Sequence, residues 1–168
     1  HHFLGSDLER IYDELGKRFP EICFVRCFMD PIMRKSGLTP DQKLRLSMYD
    51  PLKKGTVTEE GQRRISILGS DFALDETSDL KRLLRCNDYQ IKESPVCESW
   101  EDYLSLSDCR MMLNCYPSGK AGTEWAAERL GRPFMYMPSC FDYDEIIGQL
   151  EALSESMELL GVLDYEGE

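Results

Sequence analysis

Residues 109–138 run CRMMLNCYPSGKAGTEWAAERLGRPFMYMP, and the fold class turns on how this stretch is parsed. The apolar run 109–115 has the length and composition of a buried strand. Cys115, Tyr116, Pro117, Ser118 and Gly119 then form a short loop of small residues and turn formers. Residues 120–130 carry helical spacing and end at Gly131. PFMYMP (133–138) is a second strand. Strand, short loop, helix and strand make one unit of a parallel sheet.

The same rhythm extends outward. RRISILG (63–69) predicts a strand, and 75–86 a helix capped by Asp75 that packs through Leu80, Leu83 and Leu84. YQIKES (89–94) is a weaker strand, and 98–106 a short helix with Trp100, Tyr103 and Leu104. Residues 142–160 form a long amphipathic helix whose stripe of Leu150, Leu153, Met157 and Leu160 is core packing. Four strand–helix alternations imply an α/β fold: a doubly wound, flavodoxin- or Rossmann-like parallel sheet with helices on both faces.

Upstream the pattern is looser. Residues 6–18 read as a helix capped by Ser6 or Asp7, ICFVRCF (22–28) as a strand, and DPIMRKSGLTPD (30–41) as a loop. A helix over 41–53 would bury Leu44, Met48 and Leu52. The polar KKGTVTEEGQ (53–62) looks like a linker. The expected organisation is the C-terminal part of a first Rossmann-like domain plus linker over 1–60, and a second such domain over 61–168. The opening His1-His2-Phe3, without an initiator Met, suggests a piece of a longer protein.

Composition excludes some functions. The chain of 168 residues has 31 acidic and 20 basic side chains, a net charge of −11. Such a surface does not suit the phosphate backbone of nucleic acid. No apolar run approaches the ~18 residues of a membrane span, and no export signal is visible. The expected compartment is the cytoplasm, with thiols reduced. The seven cysteines are odd in number and include no CxxC; Cys23 and Cys27 are a weak metal signal.

In an open parallel sheet, ligands bind outside the carboxyl ends of the strands. The four loops there are GSDF (69–72), SPVCES (94–99), NCYPSGKAG (114–122) and MPSCFD (137–142). Three carry a thiol: Cys97, Cys115 and Cys140. Soft thiolates in such a place suit iron–sulfur or zinc chemistry, although each also suits plain core packing. Cys86 and Cys109, at the opposite edge, read as structural. PSGKAG lacks the GxxxxGK[ST] spacing of a phosphate loop, and no GxGxxG follows any strand. Its glycines would let the backbone approach a bulky ligand, with Lys120 in solvent. His1 and His2 are the only histidines, so a histidine-dependent triad is not expected. Asp71 and Asp142 read as turn or cap residues.

SDCRMMLNCYPSGKAGTEWAAERLGRPFMYMP (107–138) resembles the second domain of nitrogenase component 1-type subunits, including the molybdenum–iron protein α subunit and its cofactor-assembly relatives. There an Asn-Leu-x-x-Cys-Tyr-x-Ser-like stretch ends a strand, and a Gly-x-Pro opens the next. Cys115, Tyr116 and Ser118 fit the first element, and Gly131-Arg132-Pro133 the second. RRISILGSDFALDETSDLKRLLR (63–85) is similar to the family's entry into this domain. FLGSDLERI (3–11) is similar to its Gly-Asp-Asp-Ile segment, and FVRC (24–27) to the strand that follows.

The resemblance implies an iron–sulfur cluster or related metallocluster with Cys115 as a ligand. Tyr116, Ser118, Gly119 and Gly69 would line its pocket, and Cys97 and Cys140 would be alternative ligands or neighbours. It implies two partners, a homologous component 1-type subunit and an ATP-dependent iron–sulfur reductase, in an oxidoreductase. Departures accompany it. The family's arginine beside the cofactor is Pro117 here, and 30–41 holds no histidine. The second cofactor ligand of the catalytic subunit and the cysteines of the inter-subunit cluster have no counterpart. Dinitrogen reduction is therefore not expected. The alternative is a scaffold or carrier for a metallocluster or tetrapyrrole-like precursor, without turnover. A third possibility is an interaction domain whose cysteines are all core.

Overall fold

The computed structural model describes residues 7–27 and 37–159. Four strands, β1 (Arg64–Ile67), β2 (Gln90–Glu93), β3 (Met111–Asn114) and β4 (Phe134–Tyr136), form one sheet in the order β2-β1-β3-β4. All three pairings are parallel. Among the described residues the six α-helices are α1 (Leu8–Arg18), α2 (Pro40–Tyr49), α3 (Asp79–Cys86), α4 (Trp100–Leu104), α5 (Lys120–Leu130) and α6 (Tyr143–Met157). The protein is α/β and doubly wound, with the chain reversing direction between β1 and β3. That reversal opens a crevice at the carboxyl edge.

β1 and β3 are central and buried at every position, as continuous apolar runs in parallel sheets require. Successive side chains alternate faces. Ile65, Ile67, Met111 and Leu113 pack on one side with Leu80, Leu83 and Leu84 of α3 and Leu150, Leu153 and Met157 of α6. Leu68 and Met112 pack on the other with Tyr49, Leu52, Leu106, Ala126, Ala127 and Leu130. Tyr49 and Leu52 precede the expected boundary at residue 60, yet share this second core. Gly122 lets α2 and α5 meet closely, since a Cβ there would lie 3.1 Å from Arg45 Cβ. Arg129 then closes the end of α2, donating to the carbonyls of Tyr49 and Leu52 at 2.7 Å each.

Local signals account for the helix ends. Thr39 and Gln42 form a reciprocal capping box with Pro40 in the first turn of α2. Asp142 caps α6 by accepting from the backbone of Asp144 and Glu145. Gly131 ends α5 in the left-handed conformation at φ +67°.

The structure departs from expectation in four places. Residues 22–27 join no strand. Arg26 there turns back onto α1, donating to Glu9 at 2.6 Å and Asp13 at 2.8 Å. An apolar run with no partner edge does not make a sheet. Phe28, 30–36 of the expected loop, and Leu160 lie outside the described residues. α2 ends at Tyr49, before Asp50 and Pro51, and buries Arg45 and Tyr49 while Met48 is exposed. α3 starts later than expected, capped by Ser78, because Asp75 instead accepts from Thr77 in a local turn. Of the two cysteines read as structural, Cys109 is buried in the core and Cys86 is exposed at the end of α3.

Candidate functional site

The carboxyl edge is built by the loops after β1, β2, β3 and β4. Gly69, at φ +86°, and Gly119 face each other. A Cβ on Gly69 would fall 2.7 Å from Gly119 Cα, and one on Gly119 would fall 2.3 Å from the Gly69 carbonyl oxygen. Asn114 locks the pair by donating its side-chain amide to the Leu68 carbonyl at 2.7 Å. These glycines let the two loops approach each other closely.

Cys115 leaves β3 on the α3/α6 side and is only 7% exposed. It lines a cleft of about 310 Å³ with Leu80, Met137, Cys140, Gln149 and Leu150. Burial pushes its thiol up to about 11, and the Glu93 carboxylate adds to the shift. Cys140 sits half-buried in the same cleft, where the Gln149 amide approaches its sulfur at 3.9 Å and donates to the Pro138 carbonyl at 3.2 Å. Cys97 is elsewhere. It packs against the Tyr49–Leu130 core on the opposite face, donates to the Glu93 carbonyl at 3.5 Å, and has its thiol raised chiefly by burial. Of the three expected ligands, the fold brings Cys115 and Cys140 together and sets Cys97 apart.

Tyr116 and Ser118 face away from that cleft, toward α2. The Arg45 guanidinium lies 5.9 Å from the Tyr116 ring centre and donates to Asp71 at 2.9 Å and Asp41 at 3.2 Å. Asp41 is held below the usual carboxylate range by the Ser118 hydroxyl and then by Arg45. Asp71 is thus the partner of a buried arginine as well as a turn residue. Lys120 is exposed, with its ammonium 4.7 Å from the Tyr136 ring centre.

Buried charges at Lys81, Glu93 and Arg45 are not apparent from the sequence. Lys81 is 1% exposed and donates to the Leu74 carbonyl at 2.8 Å while pairing with Glu76 at 2.7 Å and Glu93 at 2.5 Å. Burial alone would lower its pKa, but the two carboxylates outweigh this and leave it raised. Glu93 also accepts from the Leu74 backbone at 2.7 Å, so the pair clamps the β1–α3 loop onto the edge beside Cys115. The signal existed: Lys81 lies beside Leu80 and Leu84 on the apolar flank of α3. Arg45 was hidden because its neighbours in sequence made Leu44 and Met48 look like the buried face.

The thiol set does not fit a complete cluster. Among the described residues, no three of His, Cys, Asp and Glu gather where they could hold a metal ion. A cubane cluster takes four thiolates, and this cleft offers two. All seven cysteines are free thiols. Exposed aromatics lie on three of the edge loops, Phe72, Tyr116 and Phe141, and Trp100 is exposed at the start of α4. No helix among the described residues is long and apolar enough to cross a membrane.

Comparison of the chain with protein-family models found no match, and a search of curated proteins found none.

Proposed function

We propose that the chain is a cofactor-positioning part of a nitrogenase component 1-type oxidoreductase, acting in the cytoplasm. Its contribution is the wall around Cys115, a thiol at the carboxyl end of a central parallel strand that opens into a cleft. That placement is the observation that carries the proposal. The remaining ligands and the electrons come from outside these residues: from a homologous subunit, and from an ATP-dependent iron–sulfur reductase. Phe72, Tyr116 and Phe141 on the edge loops, with Trp100 at the start of α4, are the surface such a subunit would cover. The chain's own residues hold and insulate. Lys81 and Glu93 fix the β1–α3 loop, Gly69 and Gly119 seat the β3–α5 loop, and Leu80, Met137 and Leu150 keep the thiol dry.

The second reading, a scaffold or carrier without turnover, draws support from the cleft's composition. Apart from the two thiols, its one titratable side chain is Asp79, and Asp79 pairs with Arg82 at 3.4 Å. No acid–base pair is assembled there.

The test is anaerobic ligand exchange with a preformed four-iron cluster held by small thiolates, which supply the ligands the chain lacks. The expected result is chain-bound iron and sulfide that disappear in Cys115→Ala and persist in Cys97→Ala. Equal binding by wild type and Cys115→Ala, or none by either, overturns the assignment of Cys115. Reductase-dependent turnover of the assembled complex would then separate oxidoreductase from carrier.

A further inference from the structure

Three sulfur-bearing residues, not two, line the cleft. Met137, 5% exposed, lines the same cleft as Cys115 and Cys140. Topology sets this up. β3 and β4 run parallel with Asn114 opposite Tyr136, so the next residues along, Cys115 and Met137, emerge side by side from the sheet. The chain beyond β4 stays close, since Ser139 donates its backbone N–H to the Cys115 carbonyl at 3.3 Å. That bond returns the following residue, Cys140, to the cleft. The rest of the wall is largely hydrocarbon, with Leu80 and Leu150 among its members.

We infer that this cleft is a binding site for a soft monovalent d10 cation, Cu(I), held by the sulfurs of Cys115, Cys140 and Met137. Thiolate and thioether donors in an apolar setting select Cu(I) over harder ions. Zinc and iron sites draw on histidine or carboxylate or on a larger thiolate set, and the described residues gather no such group. A two- or three-coordinate ion needs no more donors than the cleft has. Cys140 is half-buried and faces solvent enough to receive the ion, while Cys115 and Met137 lie deeper. Binding releases the protons of the coordinating thiols, and no electron is transferred. The site shares its cleft with the cofactor reading above but not its chemistry, so cluster exchange can fail while copper binds.

The experiment is anaerobic titration of the reduced full chain with Cu(I) in competition with a chromophoric cuprous chelator. X-ray absorption then reads the copper shell, and circular dichroism checks the fold of each variant. One ion per chain with an all-sulfur shell is expected. Affinity should fall by about tenfold or more in Cys115→Ser and Cys140→Ser, fall less in Met137→Leu, and stay unchanged in Cys97→Ser. Should Cys115→Ser fail to fold, Cys140→Ser decides alone, since that side chain is not part of the buried core. No copper retained by the wild type, copper with nitrogen or oxygen in its shell, or undiminished affinity in Cys140→Ser would overturn the inference.

Discussion

Gly69 and Gly119 show how single residues shape the edge. Each occupies the space that a methyl on the other would need, and Gly69 also needs its positive φ. Gly119→Ala is expected to destabilise by about 1–3 kcal/mol through overpacking, read as a lowered urea midpoint with an unchanged slope. Lys81 makes a sharper case. Lys81→Met leaves the Glu93 carboxylate buried without its main partner, which costs about 3–5 kcal/mol. Adding Glu93→Gln, which keeps an acceptor for the Leu74 backbone, should recover more than half of that loss in the same urea titration. The thiols at the strand ends were legible in the sequence because their loops were. The glycine contact, the Lys81–Glu93 clamp and the turn of Tyr116 toward Arg45 were not, because each depends on which loop lies against which.

Elements with strong punctuation were read best. α5 matches its expected span, bounded by a short loop and a left-handed glycine. α6 begins where Asp142 caps it, and Asp142→Ala should cost about 1 kcal/mol, measured as a fall in thermal midpoint. The four strands were found because runs rich in branched and apolar residues alternated with helices. Their cores were right and their ends too long, as ladder pairing stops where the loops diverge. The run at 22–28 failed for a different reason. Periodicity reports which side chains want burial, but a strand also needs a free edge to pair with, and Arg26 is instead drawn onto α1 by Glu9 and Asp13. α2 had its buried face misassigned because a buried arginine, satisfied by Asp41 and Asp71, does not look apolar.

At the scale of the molecule, residues 49–61 are tied into the sheet domain by polar contacts as well as by Tyr49 and Leu52. Asp108 accepts from the Thr58 backbone at 2.9 Å and its hydroxyl at 2.6 Å. Burial pushes the Asp108 carboxyl up, but the Thr58 hydrogen bonds and the charges of Arg64 and Arg132 outweigh it and leave it lowered. A carboxyl lowered on folding lends stability that is present above its unfolded value of about 4 and is lost as pH falls through the folded value. Asp108→Asn should lower stability at pH 7 by about 1 kcal/mol and flatten the decline below pH ~4, as followed by urea unfolding across pH. The order β2-β1-β3-β4 could be anticipated only as a class, since strand rhythm implies a parallel sheet without saying on which side β3 is laid. That choice decides the site. It puts Cys115 and Cys140 on one side of the sheet and Cys97 on the other. The direct measurement is reaction of the reduced, folded chain, its exposed Cys23 and Cys86 first replaced by serine, with a short bifunctional thiol reagent, mapped by peptide mass spectrometry. A Cys115–Cys140 bridge with Cys97 unmodified is the predicted result, and a bridge between Cys115 and Cys97 would contradict it.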